Sequence, residues 1–364
     1  MTAPHFTILA EGQFGVESAK TASSAIRYVP ERISSVLDSE VAGSTVERVI
    51  GYGGAIPIFS TLSEALEGDR RPDALLIGIA PQGGALPAAW RPVLRQALDA
   101  GLDIWSGLHV HLSDDDDLAG RAAANGVRLV DLRKPPDDLV VATGRAQETT
   151  AFRVLTVGSD CNVGKMTTAL ELRRELEARG VATGFGATGQ TGILLEGSGI
   201  AVDAVVSDFI SGATERLTLE AARDADVVLI EGQGSLMHPG YSGVTLGLLQ
   251  GSLPQAMILC AMPSRPTIFG GHHDWVRLPA LDEVARRYED ALGWACPDVP
   301  GKIVAVSLAT YDIGEEEALR AVEDAERVTG LPATDPVRFG AALLADAVES
   351  RRAELAASRT PAAS

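Results

Sequence analysis

The residues best equipped for chemistry run from Val154 to Thr168: Val154-Leu155-Thr156-Val157-Gly158-Ser159-Asp160-Cys161-Asn162-Val163-Gly164-Lys165-Met166-Thr167-Thr168. An apolar run enters a glycine-rich turn, and residues 167–179 then read as an amphipathic helix. Gly158 permits a sharp exit from a strand, and Gly164 lets backbone amides approach an anion. Lys165 adds a point charge beside the partial positive charge of a helix start. This is the context of a phosphate-binding loop. Gly158, Ser159, Asp160, Cys161, Asn162, Val163, Gly164, Lys165, Met166 and Thr167 are therefore expected to hold the phosphate part of a cofactor.

Two departures sharpen that expectation. Five residues, not the usual four, separate Gly158 from Gly164. The position after Lys165, where Ser or Thr normally holds Mg²⁺, is Met166, and a thioether is a poor ligand for a hard cation. Thr167 lies one residue on, roughly 100° around the helix, and does not substitute directly. The loop reads as built for a diphosphate without the usual magnesium, so no metal is expected. Phosphoryl transfer relies on that metal. Coenzyme A also carries a diphosphate, but its reactive thioester lies at the far end and needs no metal there.

Parallel βαβ units must position this loop. Short apolar runs at 6–10, 46–52, 74–79, 103–106 and 128–131 alternate with helical patterns at 62–66 and 92–100. The four acids 114–117 read as a solvated helix start. Prolines 135 and 136 break the pattern and residues 144–150 are polar, so a linker is expected at 133–150. A second alternation follows at 154–157, 227–230, 257–260 and 303–306. The expected domains are 1–150 and 151–350, with a frayed tail at 351–364.

Composition limits the partners. The chain has 364 residues, 31 Lys and Arg against 49 Asp and Glu, and a net charge of −18. Such a surface repels phosphate backbones and anionic lipid, so neither nucleic acid nor membrane is expected as a partner. Three scattered cysteines make no disulfide framework or Cys-rich zinc site. No basic-then-apolar leader and no run of ~20 apolar residues is visible, so a cytoplasmic protein is expected.

The loop, together with Glu231-Gly232-Gln233-Gly234-Ser235 and His238-Pro239, resembles a bacterial P-loop family formerly of unknown function. Its characterised type is the D-glutamate N-acetyltransferase, distinct from the GNAT acetyltransferases. Lys20-Thr21-Ala22, Ile26-Arg27-Tyr28 and Leu132-Arg133-Lys134-Pro135-Pro136 are similar to that family as well. The resemblance spans residues 6–347. It implies an α/β fold, with a Rossmann-like amino-terminal domain followed by a P-loop NTPase-like parallel-sheet domain. It also implies acetyl transfer from acetyl-CoA to the amine of a D-amino acid, most simply D-glutamate; separately, a homo-oligomer is expected. The loop length is also similar to dethiobiotin synthetase, which keeps an ATP-dependent ligase or kinase open, as it does a non-catalytic nucleotide-binding regulator. In the first domain, Gly53-Gly54-Ala55-Ile56-Pro57-Ile58-Phe59 is similar to the CoA-binding domain of succinyl-CoA synthetases. Ala10-Glu11-Gly12-Gln13-Phe14-Gly15 stands where a dinucleotide fingerprint belongs, and a structural relic without ligand is the favoured reading there.

Other residues are candidates for the rest of the chemistry. Glu231, at the end of the run 227–230, is placed to orient an amine, water or metal. An acetyl acceptor must be a neutral amine, so a base is needed, and His238 beside the Glu231 turn is the first choice. His272-His273-Asp274 is the second. Arg265, between Pro263 and Pro266, is a bidentate anchor for a substrate carboxylate, with Arg27 as alternative. Ser235, Tyr241 and Asp208 complete the expected substrate contacts, Asp208 through a βα junction at 205–215. Residues 186–192 form a similar glycine-rich junction. An acetyl-cysteine at Cys161, whose pKa a helix start would lower, is the less favoured route.

Overall fold

The computed structural model describes residues 4–16, 18–79, 86–270, 273–299 and 301–359. His272, offered above as a base, and residues 360–364 of the expected tail lie outside the described residues. The chain divides into two compact units, Met1–Pro135 with Gln190–Ala204, and Pro136–Gly189 with Val205–Ser364.

The first unit holds β1 (Phe6–Leu9), α1 (Lys20–Tyr28), β2 (Ile33–Leu37), α2 (Val46–Ile50), β3 (Ile58–Phe59) and α3 (Leu62–Glu67). It continues through β4 (Ala74–Ile77), α4 (Arg91–Asp99), β5 (Asp103–Ser106), α5 (Asp116–Asn125) and β6 (Leu129–Asp131). Its sheet is parallel in the order β3-β2-β1-β4-β5-β6, that of a Rossmann sheet. The run at 46–52 is helical, not a strand: Val46 and Ile50 are buried four residues apart, the spacing of one helix face. The strand at β2 went unforeseen because Ser34 and Ser35 interrupt its apolar character. The acidic run behaves as expected, with Asp115 accepting the Leu118 N–H at 3.2 Å as the α5 cap. Asp38, at the end of β2, is buried and accepts the Phe14 and Glu40 N–H groups at 2.9 and 3.0 Å.

One segment of this unit comes from much later in the chain. Helix α7 (Gln190–Glu196) packs against α1, with Thr21 and Thr191 sharing a hydroxyl bond of 3.1 Å. Buried Arg133 donates to the Gly107 carbonyl at 2.7 Å and pairs with Asp203.

The second unit holds β7 (Phe152–Gly158), α6 (Lys165–Ala178), β8 (Thr183–Gly186), α8 (Ile210–Ala221), β9 (Val227–Ile230) and α9 (Ser242–Ser252). Then come β10 (Ala256–Ala261), α10 (Leu281–Ala295), β11 (Lys302–Leu308), α11 (Glu315–Thr329), β12 (Ala333–Thr334) and α12 (Ala342–Arg359). Its parallel sheet runs β12-β11-β10-β7-β9-β8. Strands β7, β9 and β10 are buried along their whole length, which is why they read as unbroken apolar runs. Register pairs Gly158 with Cys260, Leu155 with Ile230, and Ile230 with Gly186. The loops after β7, β8, β9 and β10 therefore leave the sheet at one edge.

Residues 136–150 are seated on this unit. Glu215 of α8 is buried and its carboxylate accepts the Thr143 N–H and hydroxyl and, at 2.7 Å, the Arg145 N–H. Gly212 lies under Val140, whose carbonyl would stand 1.7 Å from an added Cβ. Residues 351–359 continue α12, with Arg351 buried. Among the described residues no helix is long and apolar enough to cross a membrane.

Candidate functional site

The loop between β7 and α6 has the backbone of an anion cradle. Asn162 and Gly164 adopt left-handed φ values of 57° and 87°, and Gly164 is the cap from which α6 begins. Asn tolerates that region better than other side chains, and glycine enters it freely. The 14-residue helix then directs its unpaired N–H groups at the loop.

Several side chains brace the loop. The Tyr288 hydroxyl on α10 donates to the Gly158 carbonyl at 2.7 Å and accepts the Leu236 N–H at 3.2 Å. Burial pushes its pKa up to about 12. Ser235 is fully buried and donates to the Ser159 carbonyl at 2.9 Å. Arg265 donates Nη1 to the carbonyls of Cys161 and Asn162 at 3.2 and 3.3 Å, and its guanidinium lies 4.5 Å from the Phe269 ring centroid. Asp160 accepts the Cys161 and Phe269 N–H groups, both at 2.6 Å, one on each oxygen. Met166 is half-buried after the buried Lys165. Thr168, not Thr167, turns to the sheet, sharing a 2.7 Å hydroxyl bond with Ser307.

Lys165 donates Nζ to the Asp160 carbonyl at 2.7 Å. Burial lowers its pKa, against the opposing pull of Cys161, Cys260, Asp160 and Glu231. Glu231 is buried at the end of β9 and holds the turn after β8: its Oε2 accepts the Thr188 and Gly189 N–H groups at 3.1 and 3.3 Å. Gly232 crosses so close to β7 that an added Cβ would stand 1.7 Å from the Thr156 carbonyl. Glycine is required there.

His238 closes the site. It is buried, its ring packs at a tilt against Tyr241 and His273 with centroids 4.4 and 4.7 Å away, and its Nδ1 accepts the Gly240 N–H at 3.1 Å. Burial lowers its pKa, partly opposed by Asp160 and reinforced by His273 and Lys165. A neutral ring with Nδ1 occupied as acceptor carries its proton on Nε2, which makes that nitrogen a donor. Ligand atoms of Asp160, Cys161 and His238 all lie within 4.8 Å of one another. An ion held there through Nε2 would need the proton on Nδ1, facing the Gly240 N–H.

The structure thus gathers the loop, Ser235, Glu231, His238, Tyr241 and Arg265 at one edge of the sheet. Asp208 is exposed in a single 3₁₀ turn before α8, preceded by another 3₁₀ turn and not by a strand. Tyr288 was not legible, because it meets Gly158 from 130 positions away. Its type and place in the amphipathic pattern of α10 mark it only as core.

Residues 140–345 match the domain described as "Domain of unknown function (DUF1611_C) P-loop domain". The chain belongs to the DUF1611 family. Residues 39–135 match the DUF1611 amino-terminal Rossmann-like domain. A crystal structure of a DUF1611 family protein from Anabaena variabilis superposes with a TM-score of 0.89 at 39% identity, covering 95% of this chain and 99% of its own. Two relatives are named D-glutamate N-acetyltransferase. The one from Tritonibacter scottomollicae is 44% identical over 79% of this chain and 84% of its own length. The one from Pseudoalteromonas sp is 38% identical over 73% and 78%.

Proposed function

We propose that this DUF1611 protein is an N-acetyltransferase that moves the acetyl group of acetyl-CoA to the amino group of D-glutamate. The observation that carries the reading is 44% identity, over most of both chains, to a protein of that name. The site chemistry supports it: Met166 stands where a magnesium-binding hydroxyl would serve ATP.

In the reaction, the acceptor nitrogen attacks the thioester carbonyl. A C–N bond forms, the C–S bond breaks, and the CoA thiol leaves with a proton from the amine. The loop amides, the start of α6 and Lys165 hold the donor's diphosphate. A ring nitrogen of His238 lies within 4.8 Å of ligand atoms of Asp160 and Cys161 in the loop, which supports assigning its Nε2–H to that anion. Arg265, which braces the loop, is assigned to the donor side as well. Glu231 fixes the turn at Thr188 and Gly189 after β8.

The experiment is turnover of acetyl-CoA with D-glutamate in EDTA, read as thiol release and as N-acetyl-D-glutamate by mass spectrometry. L-Glutamate and Mg-ATP serve as comparisons. Product with D-glutamate alone supports the reading. Phosphate release dependent on Mg-ATP, with no acetylated product, overturns it in favour of a ligase or kinase.

A further inference from the structure

A cavity of about 660 Å³ opens beside the phosphate loop, starting at Ser159. It lies over the carboxyl ends of β10 and β11. Met262, Leu281, Leu308 and Ala321 give it apolar walls, and Ala261, Leu308 and Ala325 belong to the core cluster beneath. Its outer wall is one face of α11, residues 317, 320, 321, 324, 325 and 328, the spacing of a helix stripe. The volume suits a small-molecule body, and Ser159 of the phosphate loop lines one end of it.

The charges on that wall are specific. Arg320 stands between Glu317 and Asp324, one turn away on either side. Its guanidinium meets Glu316, outside the cavity, only at 3.9 Å, and both side chains are largely exposed. A guanidinium is suited to bidentate contact with a phosphate, and a carboxylate accepts from hydroxyls or an exocyclic amine. A flat apolar ring, a sugar bearing hydroxyls and a second phosphate, all tethered to a diphosphate, is the ligand that matches.

We infer that this cavity takes the adenosine 3′-phosphate end of the acyl donor, with Arg320 reading the 3′-phosphate that separates coenzyme A from ADP and ATP. The inference rests on the donor reading above and adds the residue that selects the donor class.

Calorimetric titration of the full chain with CoA, 3′-dephospho-CoA and pantetheine tests it without recourse to turnover. Wild type should bind CoA about tenfold or more tighter than the dephospho form. Arg320→Gln should erase that ratio while leaving dephospho-CoA affinity unchanged. Ala321→Trp, which fills the cavity from its wall, should weaken both ligands about tenfold and leave pantetheine alone. Folding of each variant is checked by circular dichroism and Tm. Unchanged CoA binding by a folded Ala321→Trp protein, or a preference that survives Arg320→Gln, overturns the inference. If acetyl transfer is found yet kcat/KM for acetyl-CoA is untouched by either variant, the cavity assignment fails and the activity stands. If CoA binds as described and no acetyl transfer occurs, the cavity assignment stands and the activity fails.

Discussion

Lys165 rests its ammonium on the carbonyl of Asp160, 2.7 Å away and five residues earlier in the same loop. A neutral carbonyl is a weaker partner than a phosphate, so on the proposed reading a diphosphate would take over a donor already held in place. Burial disfavours the charge.

Lys165→Ala should accordingly raise the KM for acetyl-CoA by roughly 10- to 100-fold, the loss of one charge-assisted bond. At saturating donor kcat should largely survive, because the contact exists equally in ground and transition states. Steady-state kinetics at varied acetyl-CoA decide it; a variant with normal KM and no turnover would place Lys165 in the chemistry.

His238→Asn separates donor from base. With Nε2–H on the phosphate, KM should rise about tenfold and kcat should stay within a few-fold. Loss of ~100-fold in kcat at unchanged KM would assign the ring to proton transfer instead.

The same ring makes stability depend on pH. In the fold His238 stays neutral below its ordinary value, whereas the unfolded ring takes up a proton near about pH 6.5. The unfolded state therefore binds more protons in that window. The stability owed to the neutral ring is present above it and is lost as pH falls towards the depressed folded value. Between pH 7.5 and 5.5, Tm should drop further in wild type than in His238→Asn. An equal drop in both would contradict the burial argument.

Met166→Thr supplies the hydroxyl that magnesium lacks. Mg-ATP affinity should increase, read by calorimetry, with no gain in acetyl transfer. EDTA should leave wild-type turnover intact. Enhanced acetylation in the variant would mean that the missing hydroxyl limits the native reaction.

Glu215→Ala removes the acceptor for two backbone N–H groups and a hydroxyl at residues 143–145. Leaving them unpaired should cost about 1–3 kcal/mol in urea unfolding. Proteolysis should shift to the stretch around Thr143, and an unaltered cleavage pattern would show that the segment is held by other contacts.

What sequence reveals here depends on how far apart the partners are. The loop, β9 and α6 are visible because each is a local pattern: an apolar run, a glycine turn, a helical stripe. The clamp of Glu231 on Thr188 and Gly189 is not, since it exists only because β8 lies beside β9. Arg265 and Ser235 are legible only as candidate substrate contacts after apolar runs, and their bonds to the loop carbonyls come from the order of β7, β10 and β9 in the sheet. Likewise, the helical spacing of residues 190–196 gives no sign that they complete the core beside α1.

That last segment sets an order for synthesis. A ribosome that has made Pro135 has produced every strand of the first sheet, yet the surface of α1 around Thr21 must wait for Thr191 and the bond of Arg133 must wait for Asp203. By then β7, α6 and β8 have already left the exit tunnel. The phosphate loop therefore exists as nascent chain before the first unit can close, and a gene cut after codon 135 would encode a product with its own last pieces missing.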